Sequence, residues 1–146
     1  MNAHDLHTKI KVQRVISPVA VGTTGTGQTG KIIDRLGFAG LEFVADYGAV
    51  TATGAVFTLT VKEGDVTGTL ASVADADLSG TEADAGLAAG ARTSGSTKNV
   101  SKKVGYIGTK RYVQVNVKST ATAGTPVAVT AILFNPDSLS RLAEGG

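Results

Sequence analysis

The sequence predicts an all-β fold, an antiparallel β-sandwich, and three observations point there. Helix formers are sparse: 19 glycines stand among many Thr, Ala and Val, with one Met and no Trp. Glycine interrupts almost every segment at short intervals, which suits short strands joined by turns. Bulky apolar residues recur with period two, the mark of strands that bury one face. At 146 residues the chain fits one domain, able to bury roughly 70% of the surface its unfolded form exposes. The organisation expected is an extended N-terminal arm over 1–14, a sandwich domain over 15–137 and a short C-terminal tail over 138–146.

Taken in order, the arm MNAHDLHTKIKVQR is polar and basic, and its first eight or so residues are expected to be disordered or held by a partner. A first strand follows in KVQRVIS, where Val12, Arg14 and Ile16 alternate with Gln13 and Val15. Pro18 cannot donate to a ladder and favours a sheet edge or strand end. Residues 31–36 read as a short strand, with Ile33 and Arg35 opposing Ile32 and Asp34, closed by a turn at Gly37. The strongest strand signal lies between Gly40 and Asp65. There Leu41, Phe43 and Ala45 share one face and Glu42, Val44 and Asp46 the other; further on, Val56, Thr58 and Thr60 alternate with Phe57, Leu59 and Val61. These two strands are expected to pair as a hairpin that seeds the sheet. A turn at Gly64, Asp65 and Gly68 leads to a strand over 69–73. Residues 74–95 read as irregular, with a helical turn inside 79–89 capped by Ser79 or Thr81 and anchored by Leu87. A strand over 96–107 comes next. In Lys110–Thr120 the alternation is cleanest, with Val113, Val115 and Val117 facing in and Tyr112, Gln114, Asn116 and Lys118 facing out. After a turn at Gly124 to Pro126, the near-continuous apolar run VAVTAILF suits a central strand, and Val127–Phe134 is expected to pair with Tyr112–Lys118 as a second hairpin. Asn135 and Pro136 end it.

Chemistry is hard to find. The absence of cysteine excludes disulfides, thiolate metal sites and a thiol nucleophile. The N-terminus lacks the apolar core of a secretory signal, and no apolar run approaches the roughly 18 residues that span a bilayer. From Gly25, GTGQTGK matches the phosphate-cradling pattern G-x-x-x-x-G-K. However, Ile32 stands where a magnesium-holding hydroxyl belongs, and IIDRLGFAG carries Gly37 and Gly40 where a helix is required. The segment therefore reads as an edge loop. His4 and His7 lie three apart without a third ligand nearby, so they read as solvated or interface residues and not as a metal site. Asp75 with Asp77, and Glu82 with Asp84, lack the calcium-loop pattern. A glycosidase cleft would call for aromatics, and the chain has three Tyr, four Phe and no Trp. Both histidines sit in the arm, so no nucleophile has a base beside it. The expectation is a protein that is not an enzyme and uses no cofactor.

The net charge of +2 hides a segregation. Glu63, Asp65, Asp75, Asp77, Glu82 and Asp84 form a run without a basic residue, and Arg92, Lys98, Lys102, Lys103, Lys110, Arg111 and Lys118 a run without an acidic one. One reading pairs these charges within the chain. The other gives the subunit an acidic edge and a basic edge that close head to tail into a ring. Nucleic acid is not an expected partner, because only Tyr106 and Tyr112 stand among the basic residues.

The succession ISPVAVGTTGTGQTGKIIDRLGF, LEFVADYGAVTATGAVFTLTVKEGD, DADLSGTEADAGLAAGARTSGSTKNVSKKVGYIGTKRYVQV and VAVTAILFNPD resembles a family of small proteins encoded in the structural gene clusters of tailed bacteriophages and prophages. The likeness runs from Ile16 to Asp137, and VGYIGTKRYV and the closing strand before Asn135 are its most specific pieces. It implies a jelly-roll-like sandwich and a capsid decoration (cement) protein, made in the bacterial host cytoplasm and carried on the virion surface. Such a protein binds the outer surface of the major capsid protein lattice, as a homo-oligomer of trimeric type, and stabilises the head. No catalytic residues come with it, and neither a membrane nor nucleic acid is an expected partner. On that reading His4, His7, Lys9, Lys11 and Arg14 touch the shell. Glu63, Asp65, Asp75, Asp77, Glu82 and Asp84 would then meet Arg92, Lys98, Lys102, Lys103, Lys110 and Arg111 between subunits. Two alternatives stay open: another virion component of the tail or head closure, and a carbohydrate-binding surface module.

Overall fold

Apolar alternation sorts the strands into two facing antiparallel sheets. The computed structural model describes residues 3–21, 27–50, 54–88, 98–120 and 125–136. Helix α1 (Ala3–Lys9) leads into β1 (Lys11–Val21), β2 (Gln28–Thr29), β3 (Ile33–Asp34), β4 (Phe38–Tyr47) and β5 (Phe57–Gly64). The chain continues through β6 (Ala71–Ser72), β7 (Leu78–Ser79), α2 (Glu82–Ala85), β8 (Val100–Tyr106), β9 (Tyr112–Ser119) and β10 (Thr125–Pro136). Sheet one has the order β1-β10-β4-β8-β7 and sheet two the order β2-β9-β5-β6, with β3 also on β9. Because the chain passes back and forth between the sheets, the arrangement is jelly-roll-like.

Both expected hairpins are corrected by this topology. Strand β4 pairs with β10 and β8, whereas β5 pairs with β9 and β6. Likewise β10 lies between β1 and β4 in sheet one, and β9 belongs to sheet two. Period two fixes which face of a strand is buried and leaves its hydrogen-bonding neighbour open. The face assignments themselves hold: Leu41, Phe43 and Ala45 meet Phe57, Leu59, Val61, Val113, Val115 and Val117 in one core, with Val127, Val129, Ala131 and Leu133 of the central β10. Each buried Val, Leu or Phe among them contributes about 1.5–3 kcal/mol of transfer free energy. Tyr47 packs edge-on to Phe57 at 5.7 Å and donates its hydroxyl to the Ala85 carbonyl at 2.7 Å, tying α2 to the core. Thr81 caps α2 by accepting the Asp84 N–H at 3.0 Å, and Leu87 is buried, as the sequence suggests.

The N-terminal region departs from expectation. The arm forms α1 where a disordered or partner-held segment is expected, while the first strand begins at Lys11, opposite Leu133, where KVQRVIS places it. Strand β1 also breaks the simple alternation, since Val15 and Ile16 are both buried. Register shifts on either side of Ile16 explain this, because a bulge turns two consecutive residues inward. Pro18 lies within β1 and does not end it; the strand tolerates it because it is an edge. Of the phosphate-loop pattern, Gly25 and Thr26 lie outside the described residues; Gln28 and Thr29 form the edge strand β2, and β3 follows where a phosphate loop would need a helix.

Candidate docking surface at one end of the sandwich

The register places several segments at a common end. Phe38 opposes Pro136, Leu41 opposes Tyr106, and Gly64 opposes Tyr112. The turns 35–38, 64–70 and 107–111 therefore cluster there, joined by α1 beside the last residues of β10.

A buried cation holds these turns together. Arg35 is 8% exposed, and its guanidinium donates to the carbonyls of Lys110 at 2.8 Å, Ala39 at 3.0 Å and Gly108 at 3.0 Å. It also lies over the Tyr106 ring, 4.8 Å from the centroid. The Tyr106 hydroxyl donates to the Glu63 carboxylate and accepts the Lys110 N–H at 3.0 Å. Burial, followed by the bond to Glu63, pushes the Tyr106 phenol well above its ordinary range. Two ion pairs sit outside this clamp. Lys110 Nζ reaches Asp65 at 2.7 Å, and Arg111 grips both oxygens of Asp34 at 2.9 Å each. The hydrogen bond from Arg111 holds the Asp34 carboxyl below the usual carboxylate range, and that from Lys110 does the same for Asp65. These pairs are about half-exposed, so solvent screens them and neither adds much to stability. The stretch GYIGTKRY is thus a structural corner: Tyr106, Gly108 and Lys110 are the walls of the Arg35 site.

Around this clamp the surface turns apolar. Among the described residues the large apolar side chains left exposed are Leu6, Val12, Leu36, Val66, Ile107 and Phe134, at 40–61% exposure. All six belong to the segments that meet at this end or, for Val12, to the start of β1 beside it. Scattered apolar residues are ordinary on a surface; these six stand in segments that come together at one end of the sandwich. A cleft of about 500 Å³ opens between α1 and β10, lined by Leu6, Ile10, Ile132, Phe134 and Pro136. The Phe134 ring occupies the space over Gly40, where an added Cβ would fall 2.4 Å from a ring carbon. Sequence reasoning passed over these six residues. The available signal was parity: Ile132 and Phe134 occupy the outward positions of a strand whose inward ones are Val127, Val129, Ala131 and Leu133.

The sequence-predicted residues are distributed around this end and one flank. His4 stands in α1, in which His7 is exposed and Lys9 half-buried; Lys11 and Arg14 are exposed on β1, and of these residues Lys9 lines the α1 cleft. Asp65, Lys110 and Arg111 lie at the corner and are engaged within the chain, as is Glu63. Glu82 accepts the Val61 N–H at 2.6 Å. Asp75, Asp84, Lys98 and Lys103 are exposed, and Asp77 and Lys102 half-buried, along the flank built from α2, β7 and β8; Arg92 lies outside the described residues. Acidic and basic runs therefore occupy the same flank, and Asp65 with Lys110 realises the pairing within the chain. Among the described residues no group of three potential metal ligands is found, and no helix is long and apolar enough to cross a membrane.

No protein-family model and no curated protein match the sequence. Solved structures align weakly. The CBM22-1 xylan-binding domain of Paenibacillus barcinonensis Xyn10C is 15% identical at a TM-score of 0.47, over 88% of this chain and 83% of that one. The infectious bursal disease virus Gx strain structure is 11% identical at 0.47, over 89% of this chain and 32% of that one. The stem and receptor-binding domain of the bacteriophage PM2 spike protein P1 is 10% identical at 0.45, over 84% and 66%. None of these likenesses assigns a function.

Proposed function

We propose that the chain is a non-catalytic bacteriophage capsid decoration protein that seats the apolar end of its sandwich on the major capsid protein lattice and stabilises the head. The observation that carries this reading is the exposure of Leu6, Val12, Leu36, Val66, Ile107 and Phe134 in segments that meet at one end, with Lys9 lining the α1 cleft. Completing the burial of six half-exposed apolar side chains yields of order 5–9 kcal/mol. Association itself costs about 4–15 kcal/mol, so one such end binds weakly. A repeated lattice met by an oligomer converts weak single contacts into firm attachment. The sequence resemblance to phage structural proteins supplies the lattice. Asp75, Asp77, Asp84, Lys98, Lys102 and Lys103 on the α2–β8 flank serve as the contacts of a trimer in this proposal. The test is co-sedimentation of the purified protein with empty heads of the encoding phage, alongside its mass in solution. Saturable binding by an oligomer supports the reading, and its absence from heads at saturating concentration removes it.

A further inference from the structure

The outer face of sheet two differs from that of sheet one. On sheet one acidic and basic side chains alternate: Glu42 and Asp46 stand among Arg14 and Lys103. On sheet two the outward positions are Thr58, Thr60 and Lys62 of β5, Tyr112, Gln114, Asn116 and Lys118 of β9, Thr29 of β2 and Asp34 of β3, whose carboxylate lies opposite Tyr112 at the end of the sheet and is taken up by Arg111. Mid-sheet these residues form a groove of about 270 Å³, lined by Thr29, Thr60, Lys62, Gln114, Asn116 and Lys118.

Its polar groups are held in place. Thr29, Asn116 and Thr60 lie in one cross-strand row, and Lys62 opposes Gln114 in the next. Gln114 Nε2 donates to the Gly30 carbonyl at 2.8 Å and Asn116 Nδ2 to Thr29 Oγ1 at 2.9 Å, which fixes both amide planes. Lys62 and Lys118 stand exposed at the two ends of the groove, four positions apart in strand register, since Lys118 opposes Thr58. Fixed amides and hydroxyls flanked by two cations suit a ligand rich in hydroxyls and carrying spaced carboxylates. Within the groove no aromatic ring offers a stacking surface for a base, and two lysines neutralise too few phosphates for firm nucleic-acid binding.

We infer that the outer face of sheet two is a binding site for a strand of acidic polysaccharide, lying along Lys62, Thr60 and Lys118. The groove lies on the face of the sandwich and not at its apolar end, so both surfaces can be occupied together. With no stacking ring, affinity for one chain falls near the millimolar range, and display of many copies supplies the avidity.

The test is a nuclear magnetic resonance titration of ¹⁵N-labelled full-length protein with pentagalacturonate. Parallel arms use the neutral methyl-esterified pentamer and an eight-nucleotide oligo-dT. Expected are saturable shifts confined to β2, β5 and β9 with pentagalacturonate and at least tenfold weaker binding of the neutral form. Lys62→Gln with Lys118→Gln lowers affinity about tenfold, and Thr60→Val, which keeps both charges, weakens it by a smaller factor. Shifts elsewhere, equal binding of the neutral pentamer, or stronger binding of oligo-dT in the same groove would each overturn the inference. Head binding by the double lysine variant stays at the wild-type level, so failure here and failure of the capsid reading are told apart.

Discussion

Replacing Arg35 is the most informative change at the corner. Truncation to Ala leaves the buried Gly108 carbonyl without its donor and removes charged bonds to the partly buried Lys110 and Ala39 carbonyls. A charge-assisted bond contributes about 1.5–3 kcal/mol, and an unsatisfied buried acceptor costs about 1–3 kcal/mol. Water can reach the Lys110 and Ala39 oxygens, so their loss is discounted. Adding the cation–π contact with Tyr106 at about 0.5–1 kcal/mol gives an expected loss of about 3 kcal/mol. Arg35→Lys keeps the charge but can serve fewer of the three diverging carbonyls, so it loses about 2 kcal/mol. Equilibrium urea unfolding reads both. With a slope of about 2 kcal/mol per molar urea, the midpoint falls by about 1.5 M for Ala and about 1 M for Lys. Hydrogen exchange should then speed up first in residues 107–111. A lysine variant as stable as wild type would show that charge alone matters and would refute the fork geometry. An alanine variant losing less than about 1 kcal/mol would refute the clamp itself.

Three further outcomes follow from the same surfaces. Arg111 lowers the folded-state titration of Asp34, so the stabilisation it provides is present above the unfolded carboxyl value of about 4 and is lost as pH falls through the folded value. Asp34→Asn therefore costs about 2 °C in melting temperature at neutral pH, and the difference fades as pH falls through the folded carboxyl's range. Glu42 behaves oppositely: burial raises its carboxyl, so a penalty accrues as pH rises from the unfolded value through the folded one. Glu42→Gln is expected to raise the melting temperature at neutral pH and leave it unchanged in acid. Gly40→Ala drives a methyl into the Phe134 ring. The ring is the mobile end of a side chain, so the variant loses about 1 kcal/mol or less in urea unfolding, while the α1 cleft is reshaped and head binding drops.

Much of the architecture was legible because strand faces obey a local rule. Val113, Val115 and Val117 alternate with polar neighbours, and one sheet of any pairing must bury them. Pairing was not legible, because the links between β4 and β5 and between β9 and β10 look alike whether the chain turns back in one sheet or crosses to the other. The bulge at Val15 and Ile16 also escaped notice, since an extra residue leaves no compositional trace. At the docking end, VGYIGTKRYV was singled out by resemblance, yet its role depends on Arg35, which the register brings in from a segment far away in sequence. The apolar end itself was hidden because Leu6, Leu36, Val66 and Ile107 are single residues in separate segments, and only the common end of the strands makes them one surface.

The central claim is that this end seats on the capsid. Leu6→Asp combined with Phe134→Asp places two charges in the α1 cleft without touching the core, since both side chains are already exposed. Occupancy on empty heads, counted by cryo-electron microscopy beside wild type at equal concentration, reads the effect. The account predicts at least a tenfold loss of bound copies, because burying an unpaired charge costs more than the 1.4 kcal/mol that a factor of ten requires. Wild-type occupancy by a folded double variant would contradict it.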